Sequence, residues 1–194
     1  MTRRDIIRNA ALAAAAGITT VASGQHVHEE VREQATAGPY KAKAFTAREW
    51  AALRRLCDLI VPADEKSKGA LDGHAPEYID LLSSNNPELS SLFTGGLAWL
   101  DRESQRRFNG ADFVSATAGQ QMALLDLIAY RKNESAELGP GIRFFDLVRR
   151  MTVDAFYTSA AGIAAVGYKG NKAVAKFEVP LEAIDYAVKR SGLG

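Results

Sequence analysis

The chain has a single cysteine, Cys57, and only three histidines, His26, His28 and His74, in 194 residues. That scarcity excludes an internal disulfide, a structural zinc site built on three or four cysteines, and a haem-attachment motif. Glycine-rich phosphate loops are missing as well. No Gly-x-Gly-x-x-Gly follows a strand-like run, and Gly-x-x-x-x-Gly-Lys does not occur. No stretch reaches the roughly 20 strongly apolar residues of a membrane-spanning helix. Neither sign of charge is in excess: 24 basic residues stand against 23 acidic ones, for a formal charge of +1. Such a balance gives no electrostatic reason to expect nucleic acid or an anionic membrane as a partner. The rest is ordinary globular composition, 47% hydrophobic and 24% charged, with enough length for one domain with a sizeable core.

The first 24 residues stand apart. Thr2-Arg3-Arg4-Asp5-Ile6-Ile7-Arg8 opens the chain, and a stretch free of Lys, Arg, Asp and Glu then runs from Asn9 to His28. A charged start followed by a mildly apolar, alanine-rich segment is the layout of an export signal. The paired Arg3 and Arg4, with two apolar residues just after them, match the twin-arginine pattern. Removing residues 1–24 takes away Arg3, Arg4, Arg8 and Asp5, leaving 21 basic against 22 acidic residues. Ala22-Ser23-Gly24 offers small residues for cleavage. Ala35-Thr36-Ala37 is a cleaner match but lies behind the charged run Glu29 to Glu33. The expectation is a periplasmic protein carried across by the twin-arginine translocase, a route that accepts folded cargo with its cofactor already inserted. Yet this chain shows no means of holding a cofactor. The simplest resolution is that the cofactor belongs to a partner exported with it.

Residues 25–44 are polar, broken by Gly38-Pro39, and read as a linker; residues 45–194 read as one helical domain. Thr46 and Glu49 form a capping box, with Phe45 and Trp50 placed for a hydrophobic staple. Trp50, Leu53, Cys57 and Ile60 then share one helical face, ended by Pro62. A short helix is expected over Pro76–Ser83. Asn86-Pro87 starts another that runs towards Phe108, with Leu89, Leu92, Phe93, Leu97 and Leu100 as its stripe. Gly95-Gly96 would kink it or admit a close neighbour, and Asn109-Gly110 stops it. Thr117 and Gln120 make a second capping box before Met122, Leu125, Ile128 and Ala129. Pro140-Gly141 precedes the most apolar helix, with Phe144, Phe145, Leu147, Val148, Met151 and Phe156. Residues 159–171 read as a glycine-rich loop, and Pro180–Lys189 as a last amphipathic helix. The expected fold is a compact all-α bundle of about five to six helices.

Candidate chemistry is thin. His26-x-His28 could contribute to a metal site, but beside Glu29 and Glu30 it reads better as a solvated tail. His74 could act as a general base near Asp72 or Glu77; a loop histidine capping the following helix is the plainer account. Cys57 falls on a buried stripe and reads as an inert thiol. Asp58, Asp64, Glu65, Asp72, Glu77 and Asp80 surround one loop, without the spacing of a calcium loop, and read as solvated or helix-start carboxylates. Trp50 and Trp99 sit on apolar faces.

Several segments together resemble one family. Leu56-Cys57-Asp58-Leu59-Ile60-Val61-Pro62-Ala63-Asp64-Glu65, with Gly69-Ala70-Leu71-Asp72 and Pro76-Glu77-Tyr78-Ile79-Asp80, is similar to the N-terminal half of the gluconate 2-dehydrogenase subunit 3 family. Gly96-Leu97-Ala98-Trp99-Leu100-Asp101 and Phe144-Phe145-Asp146-Leu147-Val148-Arg149 continue the likeness. Thr152-Val153-Asp154-Ala155-Phe156-Tyr157 with Gly167-Tyr168-Lys169-Gly170-Asn171 resembles its C-terminal signature. His74 stands where the pattern would have a small residue. The resemblance implies a non-catalytic small subunit of a periplasmic, FAD-dependent complex, membrane-associated through that complex. In such complexes a flavoprotein of the glucose-methanol-choline type oxidises the sugar or sugar acid. A multihaem cytochrome c often takes the electrons. The small subunit escorts the flavoprotein through export and stabilises it. No cofactor, metal or catalytic residue is expected in this chain. An apolar interface is expected around Phe156, Tyr157 and Tyr168, with Gly167 and Gly170 allowing close backbone approach. Two other readings of the residues stand beside it: a free-standing periplasmic helical binding protein, and a cofactor-free hydrolase built on His74.

Overall fold

A computed structural model of the chain describes residues 26–34, 36, 38–168, 170 and 179–191, and these contain helices and no strand. Residues 26–34 are helical and are labelled α1. The helices that follow are α2 (Ala47–Ile60), α3 (Ala75–Ser84), α4 (Pro87–Arg107), α5 (Ala118–Ile128), α6 (Gly139–Thr158), α7 (Ala160–Ala165) and α8 (Leu181–Ser191). A 3-10 turn, Arg131–Asn133, joins α5 to α6. Helices α2 to α6 form the expected bundle.

Local signals start the helices where the sequence places them. Thr46 and Glu49 close their capping box, as Thr117 and Gln120 close theirs, each satisfying two otherwise orphaned backbone donors. Asn86 caps α4 by accepting from the Leu89 amide at 3.0 Å. At the other end of α4, Asn109 and Gly110 turn left-handed, with φ of 52° and 87°, and the helix cannot continue. The staple takes a different form from the one expected. Phe45 is buried and its ring lies 5.9 Å from that of Phe93, while Trp50 stacks on Tyr40 at 5.4 Å.

Helix α6 is the hub, packing against α2, α3, α4, α5 and α7. Its crossing with α4 is reciprocal. Gly96 of α4 faces the Phe144 ring of α6, and a Cβ there would lie 2.0 Å from it. Gly141 of α6 faces the Trp99 ring of α4, where a Cβ would come within 2.2 Å. Each helix thus lacks a side chain where the other presents an aromatic ring, which draws the axes together. Gly95, by contrast, faces open space.

Two segments depart from the sequence reading. The stretch read as a linker holds α1, because Val31 is buried and His28 packs on Tyr78. Part of the stretch read as a 159–171 loop is α7, since Ser159 caps it by accepting from the Gly162 amide. Helix α5 is also rotated slightly from expectation. Met122 is exposed, and Gln121 is buried instead, bonded to Arg55 and to the Phe113 carbonyl, each at 2.8 Å. Two good hydrogen bonds make burying the amide tolerable.

Candidate functional site

Arg3 and Arg4 lie outside the described residues. The five residues proposed for a partner surface divide. Phe156 is buried, 1% exposed, with its ring 5.0 Å from that of Tyr157, so it supports the surface from beneath and presents nothing to a partner. It falls on the same face of α6 as Val148, Thr152 and Ala155, which face the core. Tyr157 and Tyr168 are exposed, at 45% and 61%. Gly167 and Gly170 have positive φ, 63° and 75°, and nothing within reach of a Cβ. Backbone there is open to approach. Gly162 is not, because a Cβ would meet the Phe156 carbonyl at 2.1 Å.

Of the thirteen exposed large hydrophobic side chains among the described residues, nine lie between Tyr157 and Val188. They include Ile163 and Val166 of the α7 corner, and Leu181, Ile184 and Val188 on α8. Helix α8 buries none of its residues. These exposed side chains fall in two groups along the chain, one at the α7 corner and one on α8.

The groups weighed for chemistry prove structural. Cys57 is fully buried beside the Thr152 hydroxyl at 3.4 Å, and burial pushes its thiol up to about 12. Such a thiol is no nucleophile at neutral pH. Of the carboxylates around the 62–75 loop, Glu65 is exposed as expected and the others have a local partner. Asp58 pairs with Arg55 at 2.7 Å, and Asp64 accepts from the amides of Lys66 and Ser67. Asp72 accepts from the Gly69 amide at 2.9 Å, and Glu77 pairs with Arg54 at 2.9 Å. Asp80 is not solvated as the sequence suggested but fully buried. It accepts from the Tyr40 hydroxyl and the Lys43 amide at 2.8 Å and from the Ala44 amide at 3.0 Å. Asp80 thus clamps residues 40–44 onto α3. Burial first, then the hydrogen bond to Asp80, raise the Tyr40 phenol well above its usual value. Among the described residues no group of three or more His, Cys, Asp and Glu could hold a metal ion. No described helix is long and apolar enough to cross a membrane.

The histidines are placed differently from expectation. His26 is exposed. His28 is no solvated tail: its Nε2 meets the Thr158 hydroxyl at 2.8 Å, across 130 residues of sequence, and its ring lies tilted 4.7 Å from that of Tyr78. Desolvation first, then the neighbouring His74, lower its pKa. His74 occupies the capping position of α3, but in the left-handed region (φ 55°, ψ 34°) and with no side-chain cap. The two rings line one cavity of about 530 Å³, between α1, residues 68–74 and the α6–α7 corner. Sequence reasoning treated these histidines separately. Only the contacts of α1 bring them together.

No curated protein and no solved structure matches the chain. The family model of gluconate 2-dehydrogenase subunit 3 matches residues 47–175, most of the chain and all of helices α2 to α7. The chain belongs to the gluconate 2-dehydrogenase subunit 3 family.

Proposed function

We propose that this chain is the non-catalytic small subunit of a periplasmic dehydrogenase. Its partner would be a FAD-containing flavoprotein of the glucose-methanol-choline type, which oxidises a sugar or sugar acid and passes electrons to a multihaem cytochrome c. The small subunit escorts that flavoprotein through twin-arginine export and stabilises it. The observation that carries this reading is the family match over residues 47–175. Two features support it. Cys57 is buried with a raised thiol pKa, and Asp72 and Glu77 are held in local contacts. The exposed apolar residues gathered from Tyr157 onward give a partner somewhere to dock. Within that surface Tyr157 and Tyr168 are the anchors, Gly167 and Gly170 admit the partner's backbone, and Phe156 fixes the base of Tyr157.

Co-expression tests the reading. The flavoprotein made with this chain should be soluble, loaded with FAD and exported. Made without it, the flavoprotein should stay in the cytoplasm or aggregate. Replacing Arg3 and Arg4 by lysine should strand both subunits. Full export of loaded flavoprotein without this chain would defeat the proposal, and a small subunit that purifies alone and monodisperse would favour a free-standing binding protein.

A further inference from the structure

The cavity behind α1 is independent of that reading. Its volume of about 530 Å³ falls within the range of small-molecule sites. Its walls combine small side chains, Ala160, Ala161 and Ala164, with charged and ionisable ones. From α1 come His28, Glu29 and Arg32; from the turn before α3 come Lys68, Asp72 and His74. The Tyr78 ring of α3 lies tilted beside His28, and Asp154 of α6 acts in turn on Tyr78.

Two carboxylates stand in the lining opposite the two cations Arg32 and Lys68, so without histidine charge the lining is balanced. Glu29 is paired with Arg32 at 3.5 Å, and Asp72 accepts from the Gly69 amide. Of the other ionisable groups, Lys68 stands at the exposed rim, and the two half-buried imidazoles donate from both nitrogens only when protonated. Among the described residues His28 bonds only through Nε2, to Thr158. His74 makes no side-chain cap, and it holds a left-handed backbone that is strained for a non-glycine residue. The turn is pressed against the end of α6, for a Cβ on Gly73 would lie 2.7 Å from the Phe156 ring and 2.9 Å from the Ser159 hydroxyl. Backbone and neighbours therefore hold the two imidazoles on one small space.

We propose that this cavity binds a small anion bearing carboxylate or phosphate groups, gripped between His28 and His74 with Lys68 at its mouth. Desolvation first, then His74, resist protonation of His28, and an anion beside its ring offsets that resistance. Binding then takes up protons, and affinity rises as pH falls through the imidazole range.

Only three histidines are present, so each ring can be followed by NMR in the isotope-labelled full chain. Inorganic phosphate or citrate, added at about pH 5.5, should move the His28 and His74 resonances along a saturable curve. Exposed His26 should stay still. Affinity should weaken about tenfold or more by about pH 7.5, since one unit of linked pKa shift is a factor of ten. A response to phosphate alone assigns a phosphate site, and to citrate alone a carboxylate site. Lys68→Gln should weaken binding several-fold while leaving the circular dichroism unchanged. Absent shifts, equal non-saturating shifts at all three histidines, or an affinity unchanged between the two pH values would overturn the proposal.

Discussion

Substituting Gly96 by alanine tests the α4–α6 crossing on which the bundle rests. The new Cβ would lie 2.0 Å from the Phe144 ring, where carbon atoms normally rest about 3.5–4.0 Å apart. Phe144 is buried and sits edge-on to Phe93 at 5.9 Å, so the ring has little room to retreat. Overpacking of this kind costs typically about 1–3 kcal/mol, and the depth of the overlap puts Gly96→Ala at the upper end. Against it stands the helical preference of alanine over glycine, about 1 kcal/mol. The net expectation is a loss of about 2 kcal/mol, or a melting temperature lower by about 4–8 °C for a chain of this size. Gly95→Ala supplies the internal control. It carries the same propensity gain one residue away, with nothing within 4 Å of the new methyl. That variant should be more stable than the wild type by up to about 1 kcal/mol. Urea denaturation of both variants, followed by far-ultraviolet circular dichroism, measures the difference directly. Equal stability of the two, or a more stable Gly96→Ala, would refute the close approach.

Asp80→Ala should cost about 2–3 kcal/mol, because it leaves two part-buried amides and a phenol without their acceptor. Limited proteolysis should then cut first within residues 38–44. The pH dependence of stability follows from His28. Its folded pKa is depressed, so below the ordinary imidazole value of about 6.5 the unfolded chain takes up a proton that the folded chain resists. Stability should therefore be fully present above that value and decline as pH falls through the folded pKa. In thermal melts without added anions, His28→Asn should flatten the slope in that window.

Whatever is encoded within one turn of chain was legible in the sequence. Both capping boxes, the Asn86 cap and the Asn109-Gly110 stop depend on residues three or four apart, and all four form where the spacing places them. The close approach at Gly96 was legible too, though the ring that fills it, 48 positions on, was not. Helix α1 was missed because its segment is polar and Val31 is the one side chain it buries deeply. Its docking depends on Tyr78 and Thr158, which no local pattern connects to it. Asp80 was misread for a related reason. A carboxyl on a helix looks solvated until the 40–44 segment folds over it. Phe156 was assigned to the surface because α6 is apolar on most of its faces, so its phase could not be read from composition. The paired phenylalanine and tyrosine divide the work: one faces the core, the other faces out.

The central claim, that this chain exists to hold a flavoprotein, is tested most directly by affinity purification from its native cells. The tagged chain should bring down a large subunit with flavin absorbance near 450 nm, at a fixed ratio. Val166→Asp combined with Tyr168→Asp should abolish that recovery and leave the helical content intact. A tagged chain that elutes free of any flavin-containing companion, from cells shown to express one, would contradict the account.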